Sequence, residues 1–223
     1  MAAPLSPVLN LNGYTDLPAG KIANIVTYLE MRSRPRLRRL AKPPGWSFVR
    51  LNSDRGRYRA IFRRVGEPWL WFSRAIMSDT ALARILADER VEAFALNDGS
   101  NDIGLLELDF RGRGDCELMY FGVVPEAIGQ GVGRLMMNEA IRRAFLRPIS
   151  RFFLHTCSLD HPGALAFYTR SGFMPYKQAV EVADDPRLKR HLPLEAAPQV
   201  PIFRGLQSRP ALRPRARGRK PSR

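Results

Sequence analysis

The sequence predicts a mixed α/β fold, one central sheet flanked by about four helices. Runs rich in β-branched and aromatic residues alternate with segments whose apolar residues recur at helical spacing. Three consecutive strand-like runs are separated by short glycine turns, which reads as an antiparallel meander. The order is then helix, strand, helix and strand, with no internal repeat of 20–50 residues.

In chain order, Ile22–Met31 reads as a first strand and Trp46–Leu51 as a second. Ser53 is the expected cap of a helix in which Tyr58, Ile61, Phe62 and Val65 recur at i, i+3, i+4 and i+7. Ser78 caps another, with Leu82, Ile85 and Leu86 on one face. Val91–Leu96, Ile103–Phe110 and Glu117–Val124 form the meander, turned at Asp98-Gly99 and Gly112-Arg113-Gly114. A helix runs from about Gly131 to Phe145, with Met137, Ile141 and Phe145 spaced by four. Arg151–Cys157 is a strand, Pro162–Arg170 a helix, and Phe173–Val182 a closing strand. This divides the chain into an N-terminal extension over 1–45 (added strand 22–31, basic linker 32–45), one domain over 46–183, and a C-terminal extension over 184–223.

Thirty-six Lys and Arg against 21 Asp and Glu leave a net charge of +15, which invites a nucleic-acid or membrane-surface partner. The charge is not spread evenly. Residues 32–42 hold six bases and residues 201–223 hold eight, neither with an acid, so fourteen of the fifteen charges lie in two flanking segments. The last segment, broken by Pro201, Pro210, Pro214 and Pro221, reads as a disordered basic tail. It suits a weak, salt-sensitive nucleic-acid contact. No uncharged apolar run approaches 18 residues, so no membrane span is expected. The first residues show neither a basic n-region nor an apolar h-region, and two cysteines make no disulfide framework. A cytoplasmic protein is expected.

The most informative stretch is a strand that runs through Phe121, Val123 and Val124 into glycines 129, 131 and 133, with a helix starting at once. Closely spaced glycines let backbone N–H groups converge, and the positive end of the helix dipole points at the same spot. Gln130 and Val132 lie within this loop and Arg134 adds a cation in the first turn. The loop is not a P-loop, because no Lys-Ser or Lys-Thr follows the glycines. Nor is it a dinucleotide fingerprint, because a third glycine counted from Gly129 and Gly131 falls on Arg134 and the preceding strands form a meander.

The pattern resembles the acyl-CoA loop Q/R-x-x-G-x-G/A of the GNAT N-acetyltransferase superfamily, with Ile128 next to the loop where Gln or Arg is usual. A second stretch, His161-Pro-Gly-Ala164-Leu-Ala-Phe167-Tyr168-Thr-Arg-Ser-Gly172-Phe173, resembles that superfamily's N-x-x-A-x-x-F-Y-x-x-x-G-F signature, His161 standing for Asn. Both motifs occur in family order, and the resemblance covers about 46–183.

The resemblance implies the GNAT acyl-CoA N-acyltransferase fold and transfer of an acetyl group from acetyl-CoA to an amine acceptor, by direct attack through a tetrahedral intermediate and without a metal. It places the pantetheine arm against Phe121, Val123 and Val124, a backbone N–H near Val123 at the thioester oxygen, and the phosphates on Gly129 to Arg134. His161 and Ala164 fall in its cofactor-binding motif, and Tyr168 is the acid for the departing thiolate. Glu117 stands where histone-acetylating members carry the base, with Glu107 in reserve. The Glu67–Phe72 connection helps form the acceptor site, so Trp69, Trp71 and Phe72 are expected to line it unless they are core anchors. His155 and Cys157, two apart on a strand, share a face; with Cys116 they fall short of a zinc site, and packing accounts for them better than metal or nucleophilic chemistry. Two alternatives stay open: a CoA-binding protein without turnover, and a nucleic-acid-binding protein acting through the Arg-rich segments. The N-terminal strand is free to extend its own sheet or that of a second copy as a homodimer. The acceptor's identity is not specified by these residues.

Overall fold

The computed structural model describes residues 9–37 and 40–205. Its elements are β1 (Lys21–Met31), β2 (Ser47–Arg50), α1 (Arg55–Gly66), a one-turn α2 (Ser73–Ile76), α3 (Asp79–Ala87), β3 (Val91–Asn97), β4 (Asp102–Asp109), β5 (Asp115–Val123), α4 (Val132–Ala144), β6 (Arg151–Cys157), α5 (Ala164–Arg170) and β7 (Met174–Asp184). The strands form one sheet in the order β2-β3-β4-β5-β6-β1-β7, and every neighbouring pair is antiparallel except β5 with β6. The mixed sheet stands as expected, with one helix more than expected because α2 forms a separate turn before α3. Among the described residues no helix is long and apolar enough to cross a membrane.

Side-chain alternation along β4 fixes which helix covers which face. Glu107 points to α1, where it meets Tyr58. A Cβ on Gly104, an odd number of residues away, would lie 2.3 Å from Met136 Sδ of α4. Tyr58, Ile61, Phe62 and Val65 are buried on α1, and Met137 and Ile141 on α4, as their spacing predicts. Asp54, not Ser53, caps α1: its carboxylate accepts from the Arg57 amide at 2.9 Å, the third N–H of the first turn. Ser78 caps α3 as expected.

Two features redraw the division at residues 45 and 184. β1 is no accessory strand at an edge: it pairs with β6 on one side and β7 on the other, so residues 21–31 sit inside the sheet of the 46–183 region. Leu29 and Met31 on β1 are buried in the main core, which is why this strand cannot be peripheral. Residues 185–200 pack too. Leu192, Ala196 and Ala197 form a second cluster with Ile22 and Leu70, against which Phe72 and Val200 lie. This segment is tied by a fully buried pair, Arg187 with Asp185 at 2.8 Å, while Arg187 Nη1 also donates to the carbonyls of Ala196, Ala197 and Val200. Most of the basic tail, from residue 206 on, and Arg38 and Arg39 of the linker lie outside the described residues.

Candidate functional site

β5 and β6 pair over three residues only, Asp115–Glu117 with Arg151–Phe153. Beyond them, β5 continues to Val123 and β6 to Cys157 without pairing, so the sheet opens between its two parallel strands. A bulge in β5 opposite Glu107 and Leu108 accompanies the divergence. The Val124 N–H donates to Ile103 O at 3.0 Å, toward the β4 side. Amide direction alternates along a strand, so the Val123 and Phe121 N–H groups point the other way, into the gap. Val124 itself is corrected as a cofactor-pairing residue: its N–H goes to Ile103, its carbonyl accepts from Ala127, and the residue is buried.

Past β5 the chain reaches the glycine loop. Gly129 and Gly131 both hold φ of +82°, the left-handed region that side-chain-bearing residues avoid, and a Cβ at either would meet nothing within 4 Å. The cradle is therefore open, and Gly131 caps α4 with no side chain competing for its first N–H groups. Val132 is buried beneath it and a Cβ on Gly133 would touch Phe167. This fits a pyrophosphate group on backbone N–H donors. The loop side chains are committed elsewhere: Gln130 Nε2 donates to Glu126 O at 2.6 Å, and Arg134 donates to Ser171 Oγ at 3.0 Å with its guanidinium over Phe167. Ile128, exposed, leaves the first position of the pattern apolar.

Tyr168 on α5 lies between the ring of Phe121 on β5, 6.2 Å away, and the segment that follows β6. Burial, with the charge of Asp160 adding to it, pushes its phenol above the ordinary value, so it stays protonated. Ala164 begins α5, and His161 turns the chain into it: its Nδ1 accepts from the Gly163 amide at 3.0 Å while its ring meets Trp69 edge-on at 5.3 Å.

Glu117 lies on the opposite face from Tyr168, in the short paired part of β5 and β6. It lines a cavity of about 450 Å³ with Asp109, Arg111, Asp115, Met119 and Phe153. Its Oε1 is 3.5 Å from His155 Nδ1, and this contact raises the His155 pKa above 6.5. Glu107, the reserve base, is fully buried, 2.7 Å from Arg74 and bonded by Tyr58, so no diffusing amine reaches it.

The three aromatic residues of the Glu67–Phe72 connection do not form one pocket. Trp69 meets His161, Phe72 stacks on His191 at 5.9 Å, and Trp71 alone lies over β5, 5.4 Å from Tyr120 and 5.9 Å from Phe62. The Trp71 indole N–H reaches across to Asp160 Oδ1 at 3.0 Å. The sequence reading missed Asp160. Its signal was an Asp three residues beyond a strand end, the position from which Asx side chains accept from the strand's last amide, here Cys157 N at 2.9 Å.

Burial pushes the Cys157 thiol up to about 11 and the Cys116 thiol higher still, so neither is a ready thiolate. Both are free thiols, and among the described residues no group of three or more His, Cys, Asp or Glu is arranged to hold a metal ion.

The profile of the acetyltransferase (GNAT) family matches residues 58–173, more than half of the chain, and the protein belongs to that family. Solved structures share the fold. One is a functionally unknown conserved protein from Staphylococcus epidermidis ATCC 12228, with a TM-score of 0.53 and 13% identity over 74% of this chain and 64% of that one. Another is a GCN5-related N-acetyltransferase from Sphaerobacter thermophilus, with a TM-score of 0.54 and 14% identity over 73% and 52%. An aminoglycoside acetyltransferase from an uncultured soil metagenomic sample, in complex with sisomicin, gives 0.52 and 15% over 61% and 93%. The matched region spans less than two thirds of the first two chains' own length. A comparison with curated proteins gives no match.

Proposed function

We propose that the protein is an N-acetyltransferase that moves the acetyl group of acetyl-CoA onto an amine, working in the cytoplasm. The observation that carries this reading is the gap between β5 and β6, into which the Val123 N–H points and beside which the Tyr168 phenol lies. Acetyl-CoA would supply an activated thioester; the chain's residues supply position and protons. The open glycine cradle holds phosphate. Phe121 and Val123 offer the backbone groups that a pantetheine arm pairs with, and the Val123 N–H is a donor for the thioester oxygen as it gains charge. Among the described residues the Tyr168 carbonyl accepts from Ser171 and Phe173 but its hydroxyl has no protein partner, which leaves the phenol proton for the departing thiolate.

The acceptor arrives as an ammonium ion. With a pKa of about 10.4, roughly one molecule in 2,500 is unprotonated at pH 7, so a proton acceptor at the site matters. Glu117, paired with His155 and lining the cavity on the face opposite Tyr168, is the residue we assign to this task, directly or through water. Isothermal titration with acetyl-CoA tests the reading. Saturable binding followed by thiol release on addition of an amine panel is the expected result; absence of saturable binding overturns it.

A further inference from the structure

We propose that the protein forms a two-fold dimer in which β7 pairs antiparallel with the β7 of a second copy, joining the two sheets edge to edge. The sheet has two ends. One is β2, only four residues long, which offers little to another strand. The other is β7, eleven residues long, and every residue from Met174 to Asp184 is exposed except the half-buried Ala179 and Ala183. Neither face of this strand is covered among the described residues, so a neighbouring strand can come alongside it.

The bonding edge of β7 is open as well. The Asp185 amide donates inward to Gly20 O at 2.9 Å. Backbone direction alternates along a strand, so Ala183, Glu181, Ala179 and Lys177 likewise turn their N–H and C=O groups to β1. Those of Gln178, Val180 and Val182 turn outward, to where a further strand would lie. Pro175, which has no N–H to give, lies beyond the bulge opposite Tyr28 and Leu29 and outside this stretch.

Charge selects the partner and the register. Lys177 and Glu181 share a face of β7 but stand about 13 Å apart, four residues at roughly 3.3 Å each, too far to meet within one copy. Among the described residues neither has an ion pair. Lys177 Nζ lies over the Tyr28 ring at 4.7 Å, Glu181 accepts from Asn24 Nδ2 at 3.0 Å, and the neighbouring Asp184 is taken by Lys21 and Lys189. A second β7 running antiparallel, with Ala179 across from Ala179, sets each Lys177 directly opposite the other copy's Glu181 on the same face. Both ion pairs then fall at non-hydrogen-bonded positions, where side chains stand closest, while Gln178 of each copy exchanges backbone hydrogen bonds with Val180 of the other. A shift of one residue either way breaks both ion pairs. An unrelated extended segment can use the backbone edge but does not carry this charge order.

Sedimentation equilibrium of the full chain over about 5–200 µM should show a monomer–dimer equilibrium that weakens with added salt. Lys177→Glu and Glu181→Lys each turn both attractions into repulsions and should raise the dimer Kd at least about tenfold. The double variant restores both pairs in reverse and should return the Kd to within about threefold of wild type. In the wild type, hydrogen exchange at the Gln178 and Val180 amides should slow as concentration rises and the dimer forms. A chain that stays monomeric, single variants that dimerise as tightly as the wild type, or a double variant no better than the singles overturns the proposal. So does a dimer whose Gln178 and Val180 amides exchange as fast as in the monomer, and that measurement needs no variant to fold.

Discussion

His155 stands 3.5 Å from Glu117, and that carboxylate, more than the burial opposing it, raises the imidazole pKa above 6.5. A raised histidine value means that the pair stabilises the fold at pH below about 6.5 and that this contribution fades as pH rises through the folded value. NMR titration of His155 should therefore give a midpoint above 6.5 in the wild type, moving down toward 6.5 in Glu117→Gln. Removing the Tyr168 hydroxyl has a different signature. Tyr168→Phe keeps the ring packed against Phe121 and Phe173, so acetyl-CoA affinity should hold within about twofold while kcat falls about a hundredfold. Steady-state kinetics beside calorimetry separates the two effects; an unchanged kcat removes Tyr168 as the acid. Tyr168 was legible in the sequence because its motif is short and local. The partner of Trp71 was not, because it lies 89 residues away.

The glycine loop works through backbone geometry. Its positive φ values and empty surroundings mean that a methyl group at Gly131 both strains the chain and projects into the cradle. Gly131→Ala should cost about 1–2 kcal/mol of stability, lowering Tm by a few degrees in a chain of this size. Its Kd for CoA should rise by about tenfold or more, since the side chain fills the space for phosphate. The segment after β7 makes the opposite case, an element held by side chains. Arg187→Met leaves Asp185 buried without its partner and three carbonyls without a donor, a loss of about 3–5 kcal/mol in urea unfolding. Against burial, which would raise it, the Arg187 hydrogen bonds hold the Asp185 carboxyl below its ordinary range. The pair's contribution is therefore present above pH about 4 and is lost as pH falls through the folded value, so the variant should lose the wild type's acid transition at that step.

At the scale of the whole molecule, the charge of +15 belongs to the flanks, and the described part of the last flank ends at Gly205. Truncation after Gly205 removes seven of these basic residues; the truncated chain should elute from DNA at lower salt than the full chain while its Kd for acetyl-CoA stays unchanged, measured by salt elution and calorimetry. Loss of CoA binding would instead tie those residues to the fold. The sequence by itself determined what neighbours along the chain can decide: helix faces from i, i+3 and i+4 spacing, turns from glycine, the Ser78 cap, and the cradle from glycines two apart. These are short-range preferences of φ, ψ and burial, readable without knowing what lies opposite. Only the tertiary structure decided that β1 enters the sheet between β6 and β7, that residues 185–200 dock beside the Glu67–Phe72 connection, and that Trp69, Trp71 and Phe72 part company. Strand partners and side-chain directions follow from burying the whole core at once. That is also why Asp160, an ordinary turn residue along the chain, comes to accept from the Trp71 indole only when the end of β6 and the loop between α1 and α2 are brought together.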